Sequence, residues 1–437
     1  MQQQNDYKKH REKLFKAMLP NSIALLPTAP IIRRSADQNY RFYPDNDFYY
    51  FTGYPEPEAV AVLIKSEQKG ERYILFNRRK DPAQEQWSGI RIGQEAALKE
   101  YLVDEAYPID ELMNKLPELT SNKEALYFTW GRYTSFDETI KNCLNKIRDK
   151  IRAGFKIPDH CINLESIVSE MRLIKDSQEI AWLRKAAEIT TLAHKQAMRA
   201  CYPGSNEYQV KAELIYGFLK QGGMGEAYDS IVAGGENACI LHYTVNNQPL
   251  KANELLLIDA AAKYNFYCAD VTRTYPISSK FTGEQKAIYE IVYEAQLAAI
   301  KAAKPGICWL EMELTARRVI TSGLIELGVL KGDIEELLAQ NAYAPFYMHR
   351  IGHWLGMDVH DVGRYKENGQ WRTLQSGMVT TIEPGIYIKP GLPVDRRWWG
   401  IGIRIEDNVV ITDSGVDILT IDMPKKASEI EMLVSEK

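Results

Sequence analysis

Glu254–Pro276, ELLLIDAAAKYNFYCADVTRTYP, divides into two apolar, β-prone runs about a polar break. Leu255–Asp259 and Phe266–Thr272 read as strands, and Lys263–Asn265 supplies the tight turn between them. A hairpin centred between Tyr264 and Asn265 pairs Asp259 directly with Asp270. Directly opposed side chains share a face, with Cβ atoms ~4.5–5.5 Å apart. Two aspartates held that close repel one another unless a cation lies between them, and a divalent metal is the natural occupant. The alternative is that one aspartate caps a turn and the other is solvated, and a bulge would offset the pair.

A second carboxylate pair follows near the carboxyl end. In GIGIRIEDNVVIT (Gly400–Thr412), Ile401, Ile403 and Ile405 alternate with Gly402, Arg404 and Glu406. Period two puts the isoleucines on one face and Arg404 with Glu406 on the other. In MVTTIEPGIYI (Met378–Ile388), Glu383 precedes Pro384, which biases it towards extended backbone. Glu406 reads either as an inward ligand or as the partner of Arg404 on a solvated strand.

Four histidines fall in two places, His242 in ILHYTVN and His349, His353 and His360 in MHRIGHWLGMDVHDVG. A lone histidine is more often a packed or surface residue than a ligand. His349 and His353 are four apart, as in helical zinc sites, but the residues between are Arg350, Ile351 and Gly352. That is not HExxH, so a thermolysin-type site is not expected.

The chain has 437 residues, a length suited to two domains. Its first ~170 residues mix strands and helices, an α/β pattern. AVAVLIKS (Ala59–Ser66) and RYILFNR (Arg72–Arg78) read as strands joined by the polar loop EQKGE, and EALYFTW (Glu124–Trp130) is a further apolar run. Asp176 or Ser177 caps a helix whose Ile180, Leu183 and Ala187 recur at helical spacing, and a second helix closes at Gly222–Gly223. The expected division is 1–172 and 173–437, with no low-complexity linker.

Lys and Arg total 54, Asp and Glu 58, for a formal net charge of −4. No basic excess calls for a nucleic-acid or anionic-membrane partner. The polar first residues lack the apolar run of a secretory signal, and no stretch reaches the ~18–20 apolar residues of a membrane helix. Six cysteines without paired spacing suggest reduced thiols, so the expected location is the cytoplasm.

Taken together, IDAAAKYNFYCADVTRTYP, HRIGHWLGMDVH, TIEPGIYI and GIGIRIEDNVVIT resemble the pita-bread metallopeptidases of family M24, in their aminopeptidase P branch. RRSADQNYRFYPDNDFYYFTGYPEPEAVAVLIK resembles that branch's amino-terminal domain, and MRLIKDSQEI its domain junction, so the resemblance spans nearly the whole chain. It implies an α/β amino-terminal domain followed by an α+β pita-bread catalytic domain with pseudo-twofold symmetry. The implied activity is removal of the first residue from peptides whose second residue is proline. A water bridging two metals is the implied nucleophile, with Glu383 as general base.

The resemblance makes Asp259, Asp270, His353, Glu383 and Glu406 the ligands of two divalent ions. Asp270 and Glu406 bridge them, Asp259 completes one shell, and His353 with Glu383 completes the other. Oxygen-rich ligation and the family's habit favour manganese. His242, His349 and His360 then line the substrate site, and Arg404 matches a position in the family's pocket. Asp37 and Trp87 resemble amino-terminal residues that reach a neighbouring subunit's active site, and a homodimer or homotetramer is implied. Two departures from the pattern are Ala261, where glycine is common, and Arg350, where a small residue is common.

The rival within the fold is a prolidase, which shares the ligands but takes only dipeptides. A methionine aminopeptidase does not need so long an amino-terminal domain, and creatine-hydrolysing relatives lack the full ligand set. A catalytically dead binding module of the same fold would have lost ligands that this chain retains.

Overall fold

The computed structural model describes residues 2–68 and 70–436, so Met1, Lys437 and Lys69 of the EQKGE loop lie outside the described residues. The chain forms two compact units, Met1–Ser169 and Glu170–Lys437. The division falls inside the helix Glu165–Leu173, slightly ahead of the expected 172/173. A helix running through the junction leaves no composition shift to mark it.

The amino-terminal unit is built on a six-stranded sheet in the order Glu105–Pro108, Gly70–Asn77, Val60–Ser66, Ser22–Pro27, Ala125–Phe128, His160–Asn163. Both strands expected from AVAVLIKS and RYILFNR are present and pair antiparallel, Val60 opposite Phe76 and Ser66 opposite Gly70. Alternate residues Ile23, Leu25, Val62, Ile64, Ile74 and Phe76 enter one core, the period-two signature of a sheet face. The helix Thr134–Asp149 covers that face with Phe136, Ile140, Cys143 and Ile147, spaced three or four apart.

The carboxyl-terminal unit opens with the helix Ser177–Ala200. Asp176 caps it, accepting from the backbone N–H groups of Gln178 and Glu179, and Glu179 returns a bond to the Asp176 N–H. The helix Glu207–Lys220 follows, capped by Asn206, and the chain turns out of it at Gly222 with φ +83°. Five small antiparallel sheets follow among the described residues, and three of them form the α+β body. One orders Thr272–Pro276, Leu255–Asp259 and Ile231–Gly234; another Val379–Ile382, Asp407–Ile411 and Val416–Ile418; the third pairs Gly385–Ile388 with Ile401–Arg404.

Helices Gly283–Ala302 and Leu310–Glu326 back these sheets, and Ile401, Ile403 and Ile405 point into the common core as their alternation requires. On the opposite face Gly402 lies beneath the Gly235–Cys239 turn. A Cβ at 402 would sit 2.5 Å from the Ala238 carbonyl, so only glycine permits that crossing. Among the described residues no helix is long and apolar enough to cross a membrane.

Candidate metal centre

The first carboxylate hairpin is present, but its register differs from the expected one. Asp259 lies opposite Thr272, and Lys263 opposite Cys268. Backbone bonds from Ala260 N to Val271 O and from Ala269 N to Ala262 O carry the same register without a bulge. The turn therefore centres on Asn265 and Phe266, both with positive φ (45° and 68°), the backbone of a type I′ hairpin. The Lys263–Asn265 break misplaced it by one residue, because Phe266 gives no turn signal by composition. Asp259 and Asp270 still share a face, but diagonally. The Tyr228 hydroxyl spans them, 2.5 Å from Asp259 Oδ1 and 2.6 Å from Asp270 Oδ1.

The second pair is opposed directly. Gly385 pairs with Arg404 in one ladder and Ile382 with Asp407 in the next, a single register that sets Glu383 opposite Glu406. Between the ladders, Ile405 N donates to Pro384 O. The two carboxylate regions join where Glu406 N donates to Thr272 O. The Thr272 hydroxyl, directly across from Asp259, donates to Glu406 Oε2 at 2.7 Å.

His353 arrives on a loop, not a helix. The segment from Ile351 to Leu355 runs antiparallel to the strand Val379–Ile382 and to Glu383 just beyond it: Thr381 N donates to His353 O, and Glu383 N to Ile351 O. Gly352 makes this approach possible, since a Cβ there would lie 2.0 Å from Thr381 O. The His353 Nδ1–H donates to Trp354 O at 3.0 Å, which turns Nε2, the nitrogen left to meet a metal, towards Asp270 Oδ2 at 3.2 Å and Glu383 Oε1 at 3.7 Å. Ligand atoms of Asp270, His353 and Glu406 all lie within 4.8 Å of one another.

Burial pushes Glu406 well above the usual carboxylate range, and repulsion from Asp270, Glu383 and Asp259 adds to it. Burial likewise raises Glu383 to about 7 and raises Asp259, against the attraction of Arg404. Burial alone would lower His353, but its hydrogen bond and charge contact with Asp270, then Glu383, hold it at about 9. A buried set of four mutually repelling carboxylates with one imidazole beside them suits hard divalent cations. The residues fit the expected metals.

Arg404 is buried beside this set. It donates to Asp259 Oδ2 at 2.6 Å, to Thr272 Oγ1 and to the Tyr387 hydroxyl. Tyr387 Oη lies 2.8 Å from His349 Nε2, while His349 Nδ1 donates to Arg350 O. That chain fixes the His349 tautomer, and burial lowers its pKa to about 3, with Arg404 adding to the shift. His349 is therefore a neutral acceptor. The His360 ring lies 4.1 Å from that of His353, and burial, then His353, lowers its pKa.

A pocket of about 550 Å³ collects all five ligand-type residues with His242, His349, His360, Arg404, Arg350 and Tyr228, walled on its apolar side by Ile231, Leu241 and Val359. Asp37 and Trp87 lie in the amino-terminal unit, on the turn after Arg33–Ser35 and in the helix Pro82–Ser88, and both are exposed. Sequence reasoning missed Tyr228 and Tyr387. Tyr387 was legible, being in step with Glu383 and Gly385 by period two. Tyr228 precedes its strand in an irregular segment and carries no pattern.

Residues 181–413 match the model of metallopeptidase family M24, and residues 7–127 that of the aminopeptidase P N-terminal domain. The chain belongs to metallopeptidase family M24. It is 44% identical to the Xaa-Pro aminopeptidase of Escherichia coli (strain K12), over 98% of this chain and 97% of that protein. Human Xaa-Pro aminopeptidase 3 is 32% identical over 93% and 80% of the two chains. The structure of Pseudomonas aeruginosa aminopeptidase PepP superposes with a TM-score of 0.97 at 46% identity, covering 99% of this chain and 98% of the other. The fold is thus the expected amino-terminal aminopeptidase P domain followed by a pita-bread catalytic domain.

Proposed function

We infer that this chain is a metal-dependent Xaa-Pro aminopeptidase, cleaving the bond between an N-terminal residue and a following proline. The observation that carries the reading is the buried convergence of Asp270, His353 and Glu406 donor atoms, with Glu383 and Asp259 beside them. Full-length similarity to Xaa-Pro aminopeptidases supports the same activity.

Two divalent cations would be held by Asp259, Asp270, His353, Glu383 and Glu406, with Asp270 and Glu406 shared between them. When bound, they supply Lewis acidity for the scissile carbonyl and lower the pKa of water. Glu383 is the general base: its carboxylate takes the proton of the attacking water and passes it to the departing proline nitrogen. That nitrogen belongs to a tertiary amide and needs the proton to leave as an amine. His242 and His360 donate to the oxygen that gains negative charge, and neutral His349 orients the peptide. Arg404 holds Asp259 in place. Ile231, Leu241 and Val359 offer the apolar wall a proline ring requires.

The oxygen-rich donor set supports manganese as the ion. Six free thiols support a cytoplasmic location. A homodimer or homotetramer, with Asp37 and Trp87 reaching a neighbour's site, completes the proposal, supported by the likeness to aminopeptidase P.

The test is hydrolysis of Arg-Pro-Pro and of Ala-Pro by metal-stripped protein, with and without manganese. Metal-restored release of arginine from the tripeptide is the expected result. Cleavage of the dipeptide alone makes the chain a prolidase, and no cleavage of either with metal bound sinks the enzyme reading.

A further inference from the structure

The His242 loop poses a mechanical problem. His242 is exposed and lines the pocket, and Thr244 and Val245 beyond it are exposed too. Ala238, Cys239 and Tyr243 pack in a small apolar cluster that Leu241 joins, but non-directional apolar contact does not by itself hold an imidazole to the tolerance that catalysis needs. The bonds that hold it come from residues on either side, and four of them end on one carboxylate.

Glu207 is fully buried at the first position of the helix Glu207–Lys220. Its Oε1 accepts from Gly234 N at 2.9 Å and from Asn237 Nδ2 at 3.1 Å, on the limb entering the loop. Its Oε2 accepts from the Tyr243 hydroxyl at 2.8 Å and from Gln248 N at 2.9 Å, on the limb leaving it. Glu207 N in turn donates to Gln248 O. One side chain thus ties both limbs, and one of its donors is the residue next to His242. Asn246 adds a second cross-tie, accepting from Val232 N and donating to Ser230 O.

We propose that Glu207 is a positioning residue for the aminopeptidase reaction: it sets His242 over the pocket by clamping both limbs of the 231–248 loop through four hydrogen bonds. The assignment rests on the aminopeptidase reading of the site. A buried carboxylate suits the task because it is acceptor-only, and four donors converge on it. The start of a helix also favours its negative charge. An amide of the same shape cannot replace it. Its NH2 would face two donors on one limb or the other, and that limb would be released.

The experiment is a double-mutant cycle on the metal-loaded full chain, with Arg-Pro-Pro as substrate and rates normalised to folded protein. E207Q is expected to lower kcat by about tenfold to a hundredfold, the cost of a misplacement on the order of 1 Å. KM and bound metal per chain stay as in the wild type. In an H242A background, E207Q is expected to cause no further loss. Y243F removes one of the four donors and keeps the buried charge, so it serves if E207Q does not fold. It should give a smaller kcat loss that again disappears in H242A. Equal fractional losses with and without His242 overturn the proposal, as does an E207Q or, failing that, a Y243F enzyme with wild-type kcat. An H242A enzyme with wild-type kcat overturns it through His242 itself. A wild type inactive on the tripeptide overturns the aminopeptidase reading instead.

Discussion

The two carboxylate pairs reach the same pocket by different geometries. Glu383 and Glu406 are opposed directly, in one register that runs through two ladders. Asp259 and Asp270 are diagonal, and the place across from Asp259 belongs to Thr272. A direct pair needs only an intact ladder to bring its oxygens together. A diagonal pair is wider by about 2–3 Å at the backbone, and here other groups close the gap. Tyr228 bridges the aspartates, Arg404 grips Asp259, and Thr272 is left free to hold Glu406. The offset therefore puts a hydroxyl between the two pairs and couples them, which direct opposition of Asp259 and Asp270 would not have done.

Removing the direct pair should have the largest effect. E406Q takes away the carboxylate proposed to be shared by two ions and should lower kcat/KM at least about a thousandfold, because activation by a metal pair is worth several kcal/mol. Metal analysis should show fewer than two ions per chain. Retention of two ions and of activity would mean that Glu406 only accepts from the Thr272 hydroxyl and holds no metal.

The register of the diagonal pair can be tested by moving it. In D270T/T272D the carboxylate sits directly across from Asp259. If proximity alone mattered, metal binding would survive. We expect activity to fall by about a hundredfold or more, since Glu406 loses its hydroxyl donor and the proposed metal set loses Asp270.

The anchor of the diagonal hairpin should appear in the pH dependence of stability. His194 is fully buried and donates to Ala260 O at 2.7 Å, and burial lowers its pKa to about 4. Its unfolded value is ~6.5, so the unfolded chain binds the extra proton between the two. Stability is unaffected by this group above pH ~6.5 and falls as pH drops towards 4, by up to roughly 3 kcal/mol. Urea titrations at several pH values should show that loss, and H194Q should reduce it while keeping a donor for Ala260.

The bridge across the diagonal should matter least. Y228F keeps the ring and removes the shared proton, and weakening of metal binding by about tenfold is expected, the low end for a ligand-orienting hydrogen bond. Isothermal titration with manganese would measure it. A Y228F protein that binds metal as the wild type does would show that the ladder alone closes the diagonal.

Much of the site was legible because strands impose period two. The alternation from Ile401 to Glu406 is enough to place Arg404 and Glu406 together on the face away from the isoleucines, and the same logic extends to Tyr387. The helix over Ser177–Ala200 was equally legible from Asp176 and the apolar spacing behind it. The hairpin register was less so, because a turn at Asn265 and Phe266 has one residue that composition does not mark. Tyr228, His194 and Glu207 were invisible as functional residues, since each acts across a gap in the chain.

The amino-acid sequence by itself determined the two-unit plan, the identity and order of the ligand-type residues, and the faces on which strand residues lie. All of these follow from local chain geometry and short-range pattern. Only the tertiary structure decided which carboxylates oppose each other and which groups bridge them. It also decided that one buried glutamate holds both limbs of the His242 loop. Those are matters of which atoms meet after distant segments pack, and no periodicity along the chain encodes a contact between residues 207 and 243.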